Sequence, residues 1–145
     1  MSSIAKVERV VSVPKKYFWD RLLDFGDIKS FLPENIDNVE CTGNEIGSLR
    51  HITLGEITGY PGEVVERLEG IYGDNFFVYS VIDKSCLPFT DYVSCVSVKE
   101  VSNSECEVCW HSHWKADGLE EKEVKTMLEG FYELIFSNAE EQFLN

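Results

Sequence analysis

The spacing of hydrophobic residues changes twice along this chain. After a Val-rich N-terminal segment, apolar residues recur at helical spacing, and they then alternate with polar residues from residue 36 to 116. Helical spacing returns in the remaining C-terminal segment. Alternation is typical of strands with one buried face, whereas a period near 3.6 is typical of amphipathic helices. The order predicts one strand, a short helical region, a multistranded sheet and a long final helix.

Seven segments are predicted to be strands: one Val-rich segment that Pro14 bounds, and six segments with this alternation. The connections between most of them contain Gly, Asn, Asp or Ser, which favour turns, and short connections predict an antiparallel meander. The predicted strands are Ile4–Val13, Ile36–Cys41, Ser48–Leu54, Glu63–Glu69, Phe76–Asp83, Tyr92–Val101 and Cys106–Lys115.

Two short helices are predicted between the first and second strands. Pro14 suits the first position of a helix, and apolar residues at helical spacing extend it over Lys15–Phe25, where Gly26 provides a stop. Asp27 is a suitable N-cap for a second helix that Pro33 ends.

The final helix is predicted from a capping box, Asp117 followed by Glu120. Gly130 in its middle is explained either by close packing against the sheet or by room left for a ligand. Six residues then fall on one helical face: Val124, Met127, Leu128, Phe131, Ile135 and Asn138.

Length and charge narrow the functional classes. The 145 residues fit a single domain, 1–145, and the net charge of −13 would repel both nucleic acid and an anionic membrane surface. This charge indicates a well-solvated surface or, alternatively, a docking surface for a basic protein. We expect no membrane insertion, because no segment approaches membrane-spanning length.

The five scattered cysteines and the absence of signal-peptide features at the start predict reduced thiols and a cytoplasmic protein.

The inward faces of the sixth and seventh strands carry more polar groups than a dry core usually holds. Alternation places Tyr92 and Ser94 on one face, and Trp110 and Ser112 on the corresponding face of the next strand. Buried hydroxyl and indole groups need hydrogen-bond partners. They either bond to one another and to trapped water, or they orient a ligand.

Successive segments of the chain resemble the signatures of the SRPBCC superfamily, which includes START lipid-transfer domains, the birch pollen allergen, plant abscisic acid receptors and polyketide cyclase/dehydrase-like proteins. The resemblance implies an α+β helix-grip fold. In it, a seven-stranded antiparallel sheet curves around the long C-terminal helix, two short helices lie between strands 1 and 2, and a cavity holds an apolar ligand. The segments are Trp19–Phe25, Gly47–Arg50, Glu66–Leu68, Tyr79, Tyr92 and Trp110.

The resemblance also implies pocket positions. Residues at the positions of Glu66, Tyr79, Tyr92 and Ser94 line the pocket of abscisic acid receptors, and the alternation of the strands agrees for Tyr92 and Ser94. Together with Arg50 beside Glu66 and with wall residues of the seventh strand and the final helix, they give the following predicted ligand-binding residues: Arg50, Glu66, Tyr79, Tyr92, Ser94, Trp110, Met127, Phe131 and Ile135.

One loop is similar to the mobile gate of the same receptors. It consists of Gly59, Tyr60, Pro61 and Gly62, whose glycines allow the backbone to change conformation. Where the receptors have a second closing loop with a His-Arg-Leu signature, this chain has Cys86-Leu87-Pro88. A basic residue to anchor a hormone carboxylate has no clear counterpart.

Arg50 and Glu66 are expected to face one another across adjacent strands. An ion pair beside the cavity would be a polar anchor for a ligand, and a pair at the rim would be structural.

The sequence thus predicts binding or transport of a hydrophobic small molecule, such as a lipid, a polyketide or a hormone-like compound, in a cavity of roughly 300–1,000 Å³. No cofactor and no catalytic residue is assigned. The alternative is an enzyme of the polyketide cyclase/dehydrase type, with Glu66 or a tyrosine as acid or base. A third hypothesis is an interaction module that docks a protein partner when its cavity is filled.

A row of potential metal ligands lies on the opposite strand face. Glu107, Cys109, His111 and His113 are two residues apart, so zinc would need a further ligand from a neighbouring strand. The alternative is a set of cross-strand surface pairs. Cys106 and Cys109 have the spacing of a redox pair, but residues three apart on a strand face opposite sides. We therefore assign neither a metal nor redox chemistry.

Overall fold

The computed structural model describes residues 2–145, which form one seven-stranded sheet and three α-helices. The helices are α1 (Lys15–Leu23), α2 (Ile28–Phe31) and α3 (Glu121–Leu144). The strands are β1 (Ser3–Val11), β2 (Ile36–Cys41), β3 (Leu49–Leu54), β4 (Gly62–Tyr72), β5 (Phe76–Ser85), β6 (Phe89–Ser102) and β7 (Glu105–Ala116).

All neighbouring strands are antiparallel, in the order β1-β7-β6-β5-β4-β3-β2. The strands β2 to β7 form a meander, as the short connections predict, and β1 joins the sheet beside β7. The two short helices occupy the connection between β1 and β2, and α3 packs on the sheet. The predicted helix-grip α+β architecture is confirmed.

Strand alternation places the core on one face of the sheet. Along β7, Cys106, Val108 and Trp110 are at most 2 % exposed, while Glu107 and His113 between and beyond them are exposed. The buried set continues onto Val96 and Val98 of β6. Since burying a large apolar side chain stabilises the fold by roughly 1.5–3 kcal/mol, this alternation fixes which face meets α3.

The sheet opens between β5 and β6. Their pairing runs from Phe76–Ser97 to Ser80–Val93 and ends there. On either side pairing continues further, because β4 still pairs with β5 up to Ser85 and β6 with β7 down to Phe89. The two central strands therefore diverge toward the loop that connects them.

The open edge of β1 is covered by side chains of α3. The backbone N–H of Lys6 donates to Glu129 Oε2 over 3.0 Å, and that of Ser12 donates to Glu140 Oε2 over 2.8 Å. Arg9 lies between them and forms an ion pair with Glu140 at 3.1 Å. These bonds take up edge groups that would otherwise be free to pair with another strand.

The predicted helix boundaries need correction at two places. The first helix ends at Leu23 instead of Phe25, since Phe25–Asp27 form a 3₁₀ turn. The predicted capping box of α3 is wrong: Glu120 is the N-cap, it makes no side-chain capping bond, and Asp117 lies in the preceding turn. Gly118, with φ at +102°, turns the backbone between them, so the helix starts later than the motif indicates.

Candidate functional site

A cavity of about 90 Å³ lies between the inner face of the sheet and α3. Its wall is mostly aliphatic and aromatic and comes from the region around α2, from β3 to β6, from the β5–β6 loop, from β7 and from α3. The volume is well below the predicted range, because large aromatic side chains fill much of the space between the sheet and the helix. Seven of the nine predicted ligand-binding residues line it: Arg50, Glu66, Tyr79, Tyr92, Trp110, Phe131 and Ile135.

The other two predicted residues are not part of this wall. Ser94 is 1 % exposed, and its hydroxyl donates to the backbone oxygen of His111 over 3.1 Å. Met127 is partly buried and packs at the margin of the core. Sequence alternation correctly predicts that Ser94 points inward. Alternation does not show whether an inward side chain borders the cavity or hydrogen-bonds to the backbone.

A row of hydrogen-bonded hydroxyls crosses the cavity wall. Trp110 Nε1 donates to Tyr79 Oη over 3.1 Å, and Tyr79 Oη lies 3.0 Å from Tyr92 Oη. Tyr92 Oη is 2.6 Å from Tyr132 Oη, which is 2.6 Å from Ser112 Oγ. We call the four hydroxyls of Tyr79, Tyr92, Tyr132 and Ser112 the hydroxyl row. It joins three strands to α3 inside the core.

The pKa values of the three tyrosines in this row are raised, which favours their protonated form. Burial raises the pKa of Tyr79 and Tyr92 well above the ordinary value of 10.0, and neighbouring phenols and Glu66 add to the shift. Burial likewise raises the pKa of Tyr132, with a further contribution from Tyr79. A phenolate in this apolar surrounding would be poorly solvated. The row therefore consists of neutral hydroxyl groups that act as donors and acceptors at physiological pH.

Tyr132 was missed by the sequence analysis, which assigned Phe131 to the inner face of the final helix. Tyr132 is 3 % exposed, whereas Phe131 is only partly buried. The signal was present in the spacing, because Tyr132 follows Leu128 by four residues and precedes Ile135 by three. The face of α3 thus runs through Val124, Leu128 and Tyr132, and both Phe131 and Tyr132 border the cavity.

Arg50 and Glu66 form the predicted ion pair, and it lies at the cavity wall. Both Nε and Nη2 of Arg50 are 2.7 Å from Glu66 Oε1, and the two side chains are 4 % and 12 % exposed. Arg50 Nη1 also donates to the backbone oxygen of Phe25 over 3.1 Å. The guanidinium lies 4.0 Å from the Phe25 ring centroid and 5.0 Å from that of Tyr79. These contacts offset the desolvation of a buried charge pair.

The predicted gate loop adjoins the β5–β6 loop. Gly59 has φ at +80° and follows a 3₁₀ turn, and Gly62 is the first residue of β4. Cys86 Sγ donates to the backbone oxygen of Tyr60 over 3.2 Å, and a Cβ at Gly62 would come within 2.8 Å of Cys86 Cβ. Gly62 therefore permits the close approach of the two loops. Leu87, next to Cys86, belongs to the cavity wall.

The row of potential metal ligands lies on the outer face of β7. Cys109 Sγ is 3.8 Å from His111 Nδ1, and His113 is exposed. Within residues 2–145, no group of three or more His, Cys, Asp or Glu side chains has the geometry to hold a metal ion. Cys106 is buried and Cys109 is partly exposed on the other face, as their odd spacing predicts. Burial raises the pKa of the Cys106 thiol to about 11.

No helix in the described part of the chain combines the length and the hydropathy that a membrane span requires.

Solved structures with the same architecture cover the chain almost completely. The protein XoxI from Bacillus cereus is 20 % identical, with a TM-score of 0.81, and the alignment covers 99 % of this chain and 96 % of that one. Truncated norcoclaurine synthase from Thalictrum flavum is 14 % identical, with a TM-score of 0.79, and the alignment covers 100 % of this chain and 95 % of the synthase. The same synthase in complex with dopamine and hydroxybenzaldehyde gives a TM-score of 0.78 at 15 % identity, over 99 % of this chain and 87 % of that one.

No protein-family model matches the chain, and neither does any curated protein. The alignments include the strands, the short helices and the final helix, and at 20 % and 14 % identity they show a shared fold. The chain therefore has the same helix-grip fold as these solved structures.

Proposed function

We propose that this protein binds a small, mostly apolar molecule in the cavity between the sheet and α3. The observation that supports this proposal is the composition of the cavity wall. Aliphatic and aromatic side chains surround the hollow, while one buried ion pair and one row of hydroxyls converge on it. Apolar walls with a few fixed polar groups are the usual form of small-molecule sites.

The size of the cavity limits the ligand. A cavity of about 150 Å³ lined by apolar residues holds one benzene molecule, and the cavity here measures about 90 Å³. A ligand of one ring therefore requires some widening of the walls. Four apolar side chains of the wall are best able to move, because each is only partly buried: Leu54, Val81, Leu87 and Phe131. Leu87 also lies in the loop where β5 and β6 have diverged.

A similar fold in complex with one-ring compounds supports this size class. The norcoclaurine synthase structure is described in complex with dopamine and hydroxybenzaldehyde. We propose compounds of comparable size for the present cavity. Larger lipids or polyketides would need the gate loop and the β5–β6 loop to separate.

Thermal unfolding in the presence of toluene, indole and naphthalene tests the proposal. A ligand that binds only the folded state raises its stability by about 2.7 kcal/mol at a concentration of 100 times Kd. We expect at least one of these compounds to raise the Tm of the wild type. Val81→Phe fills the cavity, since Val81 lines it, and should remove the shift. Val93→Phe, at an exposed position of β6, should retain it. Equal shifts in the wild type and Val81→Phe would contradict the proposal.

An enzyme of the polyketide cyclase/dehydrase type is a second candidate, because Glu66 retains one free oxygen. Both nitrogens of Arg50 that contact the carboxylate reach Oε1, and no described residue bonds to Oε2. A carboxylate oxygen at the wall of a ligand cavity is positioned to accept a proton. Turnover of aromatic ketones by the wild type, and its loss in Glu66→Gln with ligand binding retained, would support this candidate. Absence of product with every ketone that binds would remove it.

A further inference from the structure

The hydroxyl row contains one more hydrogen than its internal bonds use. Four hydroxyls supply four O–H hydrogens, whereas the row has three oxygen–oxygen contacts. Each contact takes one hydrogen, whichever of its two oxygens donates. The Trp110 N–H brings its own hydrogen to Tyr79 Oη, so it uses none of the four. One O–H group is therefore left without an acceptor in every possible arrangement.

No described protein group accepts this remaining hydrogen. Within residues 2–145, the hydroxyls of Tyr79, Tyr92, Tyr132 and Ser112 bond only to one another and to Trp110. All four side chains are at most 4 % exposed. A buried donor without an acceptor is costly, since its hydration has been lost without replacement. The acceptor must therefore be a molecule in the cavity, either water or a ligand.

The remaining hydrogen is not tied to one residue. When one hydroxyl carries it, every other hydroxyl of the row donates toward that residue, so a concerted rotation of O–H groups moves it along the row. Tyr79, Tyr92 and Tyr132 line the cavity, and Ser112 does not. The row can therefore present one donor to the cavity at any of three phenols. Hydrogen bonds aligned in one direction also strengthen one another in a medium of low polarity.

We propose that the cavity selects apolar molecules that carry one neutral hydrogen-bond acceptor, such as the oxygen of a ketone, an aldehyde or an ether, and that the hydroxyl row donates its remaining hydrogen to that oxygen. This inference rests on the proposed function, because it requires an occupied cavity. A second acceptor directed at the row receives no hydrogen bond.

The electrostatics of the wall favour a neutral acceptor over a charged one. Arg50, the basic residue at the cavity, is already paired with Glu66 at 2.7 Å, so an anion would find no free counter-charge there. Burial also raises the pKa of the three tyrosines, which keeps their hydrogens available for donation. A bare charge in an apolar cavity is strongly disfavoured.

A pair of nearly isosteric probes tests the inference. Cyclohexanone carries a carbonyl oxygen where methylenecyclohexane carries a CH₂ group. The ratio of their two Kd values is measured for each variant and compared between variants, because the difference in hydration between the probes is then the same in every ratio and cancels. In Tyr79→Phe/Tyr92→Phe/Tyr132→Phe, the ratio should shift against the ketone by roughly tenfold, the value of one neutral hydrogen bond. Each single Phe variant should lose only part of the preference, because the remaining hydroxyls still hold a spare hydrogen. Tyr72→Phe, at an exposed tyrosine away from the cavity, should leave the ratio unchanged.

The infrared stretch of the carbonyl gives a second readout that does not depend on the stability of the triple variant. In the wild type and in each single variant, bound cyclohexanone should absorb at lower wavenumber than in a hydrocarbon solvent. An unshifted band, or an equal Kd ratio in the wild type and the triple variant, would overturn the inference and leave the proposed function standing. Complete loss of the preference in one single variant would also overturn it, by identifying a fixed donor. Failure of both probes to bind would contradict the inference and the proposed function together.

Discussion

The two halves of α3 contact the rest of the protein in different ways. Leu128, Phe131, Tyr132 and Ile135 border the cavity, so the part of the helix from Glu121 to Ile135, which we call its first half, faces a hollow. In the second half, Phe136 and Ala139 are completely buried. The Phe136 ring meets those of Phe18 and Trp110 at centroid distances of 6.2 and 6.3 Å. One amphipathic helix thus borders a hollow along its first half, whereas its second half packs directly against the core.

Polar contacts reinforce the packing of the second half. Asn138 Nδ2 donates to the backbone oxygen of Phe31 over 2.7 Å, and Gln142 Nε2 donates to that of Ser30 over 2.6 Å. These side chains take up carbonyls at the end of α2, where a short helix leaves its acceptors unpaired. Glu140 binds Arg9 and the Ser12 N–H at the edge of β1.

This difference explains how a hollow can persist under a single helix. A cavity is eliminated whenever its walls can relax inward, and the cost of leaving it depends on how far the site can collapse. Because its second half is held by packing and hydrogen bonds, α3 cannot move freely toward the sheet along its first half. The packed half therefore supports the shape of the cavity.

Replacement of Phe136 by Ala should have the largest effect on stability. Deleting a fully buried ring typically costs 3–5 kcal/mol, and we expect about 4 kcal/mol here from urea unfolding. Phe131→Ala is the matched variant on the same helix, and its cost should be at most about half as large, because Phe131 is partly buried and borders an existing hollow. Equal losses in the two variants would show that the halves of α3 are packed alike.

Replacement of Arg50, at the cavity wall, should have the next largest effect on stability. Arg50→Met leaves the Glu66 carboxylate at 12 % exposure without its partner and removes the donor to the Phe25 carbonyl. We expect a loss of about 3 kcal/mol in the free energy of unfolding, at the lower end of values for a broken buried pair. The double variant Arg50→Met/Glu66→Leu removes both charges and should be more stable than Arg50→Met. A double variant less stable than the single one would contradict this account.

The sheet and the long helix could be predicted from sequence because each has a strong period. All seven strands occur where the sequence predicts them, six from alternation and the first from its Val-rich composition, and β2 matches its predicted bounds, Ile36–Cys41. The boundaries that failed depend on backbone geometry. Asp117 and Glu120 have the residue types of a capping box, but the turn at Gly118 prevents their arrangement as one.

The site was predictable in composition but not in dimensions. The ion pair could be predicted, because β3 and β4 are adjacent and their antiparallel pairing places Arg50 opposite Glu66. The small volume of the cavity could not be predicted. It depends on the side-chain directions of Tyr92, Trp110 and Tyr132, which meet in space but lie far apart in sequence. The remaining hydrogen of the hydroxyl row is a property of these contacts as a set.

Protonation of Glu140 should weaken the packed half of α3 in a pH-dependent way. Burial acts to raise the pKa of this carboxyl, but hydrogen bonds from Arg9 and Ser12 and the charge of Arg9 outweigh burial and leave the pKa below its ordinary value of 4.5. The folded state then holds its proton less strongly than the unfolded state, so the contribution is complete above pH 4.5 and is lost as the pH falls through the lower folded value.

Denaturant unfolding of wild type and Glu140→Gln checks this. At pH 7 we expect the variant to be less stable by about 1 kcal/mol, as for a partly exposed charged hydrogen bond. The difference should shrink as the pH is lowered below 4.5, since the wild-type carboxylate becomes neutral as well. A difference that stays constant down to pH 3 would contradict the assignment. Glu141→Gln, at an exposed position on the next residue, serves as the control.

Gly130 lies on the exposed side of the first half of α3, and its replacement by Ala should have the smallest effect on stability, with the opposite sign. It is exposed beside a surface groove between α3 and β1, and a Cβ built on it meets nothing within 4 Å. Neither close packing nor room for a ligand in the cavity explains this glycine. Because Gly disfavours a helix interior, Gly130→Ala should raise the free energy of unfolding by roughly 0.5–1 kcal/mol.

Gly47→Ala is the informative control for this prediction. A Cβ at Gly47 also meets nothing within 4 Å, but its φ of +95° is a conformation that residues with a side chain rarely adopt. That variant should therefore lose about 1 kcal/mol although it has equal space. If Gly130→Ala were destabilising as well, the first half of α3 would need flexibility at this position instead of a regular helix. The first half of α3 would then have to bend when the cavity is filled, and binding of toluene and of cyclohexanone should weaken in Gly130→Ala together with its stability.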